Sequence, residues 1–259
     1  MRKVTAASLA ALAVFTAAAE GYQVNSFSAR QAGMGHTGAA LKLGAESQLF
    51  NPAAMAFTDK TLDISAGMSA IKASAYCKHD GQQWETSNKI STPFNFSASF
   101  NVYEEIYAGI SLYTPYGSSI NWGKAWPGAT LSESVSLQVF TVQPTIAWRA
   151  SDKFSIGAGL MISWGNVDLT KGLLTWDMAS KLGDIAWHAA ALKYQMATGT
   201  PYPVERPSEP DDKNIPPASV NLTGTSDLAL GFSVGLMYDI NEHWTIGASL
   251  RSEMDMKVK

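Results

Sequence analysis

From residue 61 onward, apolar and polar side chains alternate one for one along run after run of the chain. A β-strand turns successive side chains to opposite faces, so each run describes a ribbon whose two sides meet different surroundings. Runs of this kind lie at 62–69, 94–102, 105–112, 134–148, 154–165, 228–239 and 244–258. In the second, Phe94, Phe96, Ala98, Phe100 and Val102 alternate with Asn95, Ser97, Ser99 and Asn101. In the fifth, Phe154, Ile156, Ala158, Leu160, Ile162 and Trp164 oppose Ser155, Gly157, Gly159, Ser163 and Gly165. In the last, Trp244, Ile246, Ala248, Leu250, Met254, Met256 and Val258 form the apolar face. Soluble strands average roughly 5–6 residues, whereas a tilted strand needs roughly 9–11 to cross a bilayer. These runs are long enough for the second.

Alternation alone fits a soluble sandwich, whose apolar faces make the core. It also fits a transmembrane barrel, whose apolar face meets lipid while the polar face lines the lumen. The connections separate the two. They are short near 103–105, 150–153 and 240–243, and long at 77–91, 115–133 and 170–225. Short turns on one side and long loops on the other are the arrangement of outer-membrane barrels. Trp148, Trp164, Tyr238 and Trp244 fall near strand ends, where interfacial aromatic girdles belong. The expected fold is all-β, a transmembrane antiparallel β-barrel. One irregularity stands out in the fourth run. Its apolar set passes from Val135, Leu137 and Val139 to Phe140, Val142, Ile146 and Trp148, with Pro144 close by. This phase change predicts a β-bulge, a local distortion near 139–144.

Composition narrows the class further. Charged residues make up 16% of the chain, against about 25% in soluble domains. Past residue 20 no stretch approaches the roughly 18 apolar residues of a spanning helix. A net charge of −3 leaves no electrostatic footprint for nucleic acid. Arg2 and Lys3, the apolar stretch 4–15 and Ala17-Ala18-Ala19 form a signal peptide over 1–19, with Glu20 as the mature start. Cys77 is the single cysteine, so no internal disulfide forms, and Cys77 with His79 is too few ligands for a metal. Neither a metal nor a cofactor is expected.

Two segments depart from the alternating pattern. In the link 170–225, Leu182, Ile185, Ala186, Ala189, Leu192 and Met196 fall at helical spacing, which predicts an amphipathic helix over 178–196. Such a face either packs on a barrel rim or offers an apolar landing surface. A proline-rich stretch follows it, including Pro201, Pro203, Pro207 and Pro210. Residues 20–60 are rich in Gly, Ala and Ser and do not alternate, so they hang in the periplasm or fill the barrel as a plug.

These residues resemble a known family. Gly21-Tyr22-Gln23-Val24-Asn25-Ser26-Phe27-Ser28, then Gly33-Met34-Gly35-His36-Thr37-Gly38-Ala39-Ala40, then Phe50-Asn51-Pro52-Ala53-Ala54-Met55, is similar to the start of the FadL-type outer-membrane transporters of fatty acids and hydrocarbons. Gly235-Leu236-Met237-Tyr238-Asp239 and Ile246-Gly247-Ala248-Ser249-Leu250-Arg251-Ser252-Glu253 resemble a strand pair of that family. The resemblance implies a fourteen-stranded barrel plugged by an N-terminal hatch. Here the hatch is 20–60, with Asn51, Pro52 and Ala53 as the hatch motif, and 61–259 supplies about seven strands. An odd strand number leaves an edge open in lipid, where unpaired backbone groups are costly. The chain therefore reads as the N-terminal part of a longer barrel, monomeric at full length, in the outer membrane of a Gram-negative cell.

The implied function is uptake of hydrophobic small molecules, long-chain fatty acids first among them. Ligand lands among the extracellular loops, here at Leu182, Ile185, Ala189 and Leu192. It then moves to a site above the hatch and leaves sideways past a kinked strand, with outer-membrane lipid as the surrounding partner. Arg251 on the lumen face suits a carboxylate; Glu253, Asp255 and Lys257 share that face, and an ion-pair network is the simpler reading. A general porin lacks a hatch, which the 20–60 segment argues against. A structural or adhesive barrel fits the strands equally well. A membrane-embedded enzyme needs a nucleophile beside a base, and His36, His79, His188 and His243 show no such grouping, so no catalytic residue is expected.

Overall fold

The structure, a computed structural model, describes residues 23–24, 28–204 and 215–259. The signal peptide 1–19, the motif residues Gly21, Tyr22, Asn25, Ser26 and Phe27, and Pro207 and Pro210 lie outside the described residues. One antiparallel sheet dominates. Its strands are β1 (Leu62–Met68), β4 (Phe94–Tyr103), β5 (Ile106–Asn121), β6 (Ser134–Ser151), β7 (Phe154–Gly172), β8 (Ser219–Thr225), β9 (Ala229–Asn241) and β10 (Trp244–Arg251), while β2 (Tyr76–His79) and β3 (Gln82–Glu85) form a separate hairpin. The path runs β1-β4-β5-β6-β7-β9-β10, and β8 also pairs with β7. β9 takes the half of β7 up to Ser163 and β8 takes the half from Asn166, so the two lie end to end along one edge. The sheet is thus seven strand positions wide and unclosed, with β1 and β10 at its margins.

Burial decides which face is which. On β4, Phe96 and Phe100 are 45% and 43% exposed, whereas Ser97 and Ser99 are fully buried. Leu160, Leu230 and Phe232 are likewise exposed, and Ser155, Ser163 and Ser233 buried. A soluble sandwich demands the reverse. An apolar face turned outward and a small, polar face turned inward is the pattern of a barrel in lipid. No helix among the described residues is long and apolar enough to cross a membrane, so the crossing is left to strands.

The girdles set its height. Phe94, Phe140 and Trp164 stack into an outward row, with ring centroids 6.3 and 6.1 Å apart. Trp148, Tyr238 and Trp244 mark the short-turn end, where all three are exposed. Along β7 the apolar face runs from Phe154 to Trp164. At about 3.3 Å per residue and a tilt of about 40°, that span rises roughly 25 Å, the height of an apolar band.

Beyond that row the two faces exchange chemistry. Pairing between β6 and β7 keeps one register from Ser134↔Thr170 to Arg149↔Ser155, interrupted at Gln143 and Pro144. A local distortion does fall within 139–144, but the extra residue of the expected bulge is not on β6. Val135, Leu137 and Val139 share a face with Thr141, Gln143 and Thr145, the inward face; Ser136 and Gln138 point outward. β7 does the same, with Val167 and Leu169 following Ser163 inward, and Asn166 and Asp168 following Trp164 outward. The apparent phase change is a strand leaving the bilayer, where water is outside. A register shift does lie opposite this region, but on β5: Tyr113 pairs with Thr141 and Tyr116 with Val139, so Thr114 and Pro115 face Phe140 alone. Proline has no N–H to give a ladder, and the extra residue is accommodated there.

Other boundaries also differ from expectation. β5 runs on to Asn121, which shortens the loop expected at 115–133. The loop 77–91 contains β3 and most of β2, joined through Asp80 and Gly81, which take φ of 47° and 77°. Positive φ at both positions is the demand of a two-residue hairpin turn. The last strand stops at Arg251 rather than continuing to 258. The Ser252 hydroxyl accepts the Phe232 N–H at 2.8 Å, in the place a backbone carbonyl would fill. Past that point Met254 lies against Ser163 and Met256 near Gly165, on the inward face rather than in lipid.

Candidate functional site

Inside the sheet, the segment from Ser28 to Phe57 covers the polar face. It consists of α1 (Ala29–Gly33) and 3-10 turns at Gly38–Ala40, Gly44–Leu49 and Pro52–Phe57. The first is capped by Ser28, whose hydroxyl accepts the Gln31 N–H. The last is capped by Asn51, followed by Pro52 at the first helical position, where a missing N–H costs nothing. Ala45, Leu49, Ala53, Met55 and Ala56 are fully buried against the wall.

Asn51 is the centre of this contact. Its Nδ2 donates to the Ala39 carbonyl at 2.6 Å and to the Leu236 carbonyl of β9 at 3.0 Å, while Oδ1 accepts the Ala53 N–H at 3.0 Å. Ser155 of β7 donates to the Ala53 carbonyl at 2.9 Å. The corner formed by Asn51, Pro52 and Ala53 therefore joins segment to wall as well as turning the chain.

Further along, Gln48 Nε2 donates to the Ala98 carbonyl at 3.1 Å, and Gln143 Nε2 donates to the Gln48 carbonyl at 2.9 Å. The Tyr113 hydroxyl donates to Gln143 Oε1 at 2.9 Å and is within hydrogen-bonding reach of the Arg251 guanidinium. Arg251 lies on the inward face of β10 and is exposed at the open margin of the sheet. Among the described residues no ion pair joins it to Glu253, Asp255 or Lys257; the chain leaves the ladder after Arg251, so these residues no longer alternate along one strand face. The ion-pair network expected there is not formed.

Above this polar layer, on the long-loop side, the inward face carries Val135, Leu137, Val139, Val167 and Leu169. Nothing in the sequence argument marked these five as site residues. For Val135, Leu137 and Val139 the signal is the phase change of 134–148, which reads as a bulge; Val167 and Leu169 lie past the end of the alternating run 154–165. Close to the same level, Val24 N–H donates to the Pro115 carbonyl at 2.8 Å and Gln23 bridges to Tyr116, so the start of the N-terminal segment lies at the register shift of β5.

The loop helix α2 spans Trp176–Thr198. Thr175 caps it by accepting the Met178 N–H, Asp177 and Lys181 pair at 2.8 Å one turn apart, and Gly199 ends it at φ 71°. Trp187 and Tyr194 pack on Tyr202, and Trp187 Nε1 donates to the Val204 carbonyl at 3.0 Å. Leu182, Ile185, Ala189 and Leu192 are all exposed, and no residue of the helix is buried. The structure keeps these four on one outward surface and places Arg251 elsewhere, inside the sheet. No group of three or more His, Cys, Asp or Glu suited to a metal occurs among the described residues.

Comparison with known proteins gives a consistent picture. The family model described as outer membrane protein transport protein (OMPP1/FadL/TodX) matches residues 9–259. No curated protein matches the chain. Among solved structures, a Pseudomonas aeruginosa FadL homologue superposes with a TM-score of 0.60 at 18% identity, over 91% of this chain and 53% of its own. The Ralstonia pickettii toluene transporter TbuX gives 0.57 at 17% identity, over 86% and 56%. The P. putida toluene transporter TodX gives 0.56 at 15% identity, over 82% and 52%. At such identities the likeness is one of fold, and the chain spans about half the length of these structures.

Proposed function

The chain belongs to the OMPP1/FadL/TodX family of outer membrane transport proteins, and on that premise we propose that it serves in the uptake of hydrophobic compounds, long-chain fatty acids first among them. Residues 1–19 direct export, the segment within 20–60 acts as the hatch, and the strands form part of the barrel wall.

The observation that carries this reading is the apolar inward surface at Val135, Leu137, Val139, Val167 and Leu169, set directly above the polar layer that the hatch covers. A water-filled porin has no use for such a patch, since burying apolar surface stabilises by about 25 cal/mol per Å² only when something apolar covers it. An alkyl chain is a suitable cover. Arg251 below it offers hydrogen-bond donors to a carboxylate, which favours a fatty acid over a bare hydrocarbon. The exposed face of Leu182, Ile185, Ala189 and Leu192 is the landing surface for ligand arriving from outside. The register shift at Thr114 and Pro115 is the weak place in the wall through which ligand passes into the membrane.

The test is uptake of radiolabelled oleate by cells making the full-length protein. Leu137→Ser with Val167→Ser is expected to reduce uptake strongly while the protein stays folded in the outer membrane. Cells with and without the protein taking up oleate equally would end the proposal.

A further inference from the structure

Three glycines meet the N-terminal segment at distances that no side chain allows. A Cβ at Gly157 would lie 2.6 Å from both the Ala53 nitrogen and the Pro52 carbonyl carbon. A Cβ at Gly247 would lie 1.9 Å from the Ala39 carbonyl oxygen, and one at Gly235 would lie 1.9 Å from Asn51 Oδ1. These glycines stand on β7, β10 and β9; Gly157 pairs directly with Gly235, and Gly247 pairs with Met237 two residues further along β9. Gly157 and Gly235 form a notch in the inward face in which the corner rests, and Gly247 beside them receives the Gly38–Ala40 turn. Asn51 and Ser155 add their hydrogen bonds to backbone carbonyls at the same place. At Gly157 and Gly247 the contact runs from backbone to wall, so no rotation of a side chain loosens it; at Gly235 the hydrogen-bonded side chain of Asn51 fills the space.

The other half of the segment is held differently. Its Gly44–Leu49 turn faces β1, β4 and β5 and meets them mainly through side chains. Ser65 donates to Glu46 at 3.3 Å, Asp63 accepts the Ala45 N–H at 2.8 Å, and Gln48 reaches the Ala98 carbonyl. Here too are buried side-chain atoms with no protein partner: Gln48 Oε1 on the turn, and Asn95 and Ser99 on β4. Unmatched polar groups are the mark of a contact that separates readily.

We infer that the hatch has a stationary half and a moving half. The notch of Gly157 and Gly235 anchors the Asn51–Pro52–Ala53 corner throughout, Gly247 holds the Gly38–Ala40 turn beside it, and the Gly44–Leu49 turn swings away from β1, β4 and β5 to open the passage. This rests on the hatch-gating reading above, and the glycines are positioning residues within it.

Two cysteine pairs in the full-length protein test the inference, each bridged by a short bis-thiosulfonate and each compared with the same protein after reduction. Ala53→Cys with Ser155→Cys ties the corner to the wall; bridging is expected to leave oleate uptake equal to that of the reduced form. Glu46→Cys with Ser65→Cys ties the turn; bridging is expected to abolish uptake, and reduction to restore it. Loss of uptake on bridging the corner pair would overturn the anchor and leave hatch gating intact. Unchanged uptake on bridging the turn pair would overturn hatch gating and the anchor with it. A second measurement uses Gly157→Ala, checked for a folded barrel by its heat-modifiable gel mobility. With the corner lifted from its notch, ion conductance in planar bilayers is expected to rise; conductance equal to the parent's would also overturn the anchor.

Discussion

At Asn51 one buried side chain satisfies the Ala39 and Leu236 carbonyls and the Ala53 N–H together. Leaving a buried polar group without its partner costs about 1–3 kcal/mol. Asn51→Ala should therefore lower the stability of the folded full-length protein by a few such increments. Asn51→Asp should cost more, because it points a carboxylate at two carbonyl oxygens. Urea unfolding of the two variants gives the order, and Asp less damaging than Ala would show that the donor bonds matter little. The lipid-facing residues make an independent test. Leu160 lies on the outward face near the middle of the band, and Asn166 lies on the same face beyond the Trp164 row. Arginine at midplane costs about 2–4 kcal/mol and near an interface about 0–1. Leu160→Arg should thus destabilise the protein in lipid far more than Asn166→Arg, and equal effects would displace the membrane boundary drawn here. Sequence reading reached Asn51, Pro52 and Ala53 as a rigid corner because turn chemistry is local. It missed their glycine partners because a small residue on a polar face looks like any other, and only the approach of a distant backbone gives it meaning.

The strands were legible as elements because a period of two survives in any environment, and all seven runs appear in the sheet in sequence order. What the period cannot report is where solvent changes. In 134–148 the inward set turns from Val139 to Thr141 without any slip of register against β7, and a pattern reader places the bulge on β6. The hairpin of β2 and β3 was missed for a different reason: its Asp80-Gly81 dipeptide is a strong turn signal, but the flanking strands are too short and polar to alternate visibly. The real irregularity, in β5, carries its own prediction. Two residues there face one on β6, so deleting Thr114 should restore an even register with β6. The shortened protein is expected to keep its heat-modifiable barrel and to lose oleate uptake; retained uptake would move the exit elsewhere.

Across the whole molecule, the aromatic rows place the tryptophans at different levels. Trp164 and Trp148 belong to opposite margins of the apolar band, while Trp122 and Trp126 stack on each other at 4.5 Å in the loop after β5. Brominated lipid should quench single-tryptophan variants retaining Trp148 or Trp164 and spare one retaining Trp126. Quenching of Trp126 would lower the loop into the bilayer. The exchange of chemistry at the Trp164 level has a consequence of its own. A solute resting among Val135, Leu137 and Val139 is already in an oily medium; one step deeper it meets Thr141 and Gln143. Each methylene carried across that line gives up about 0.8 kcal/mol of transfer free energy. For a long chain the descent is a steep partition barrier, whereas the acyl interior of the membrane, a wall's thickness away, is the same oil. Under the uptake proposed above, the direction of travel is then set by solubility: the pore's own floor repels the cargo, and the bilayer beside it does not.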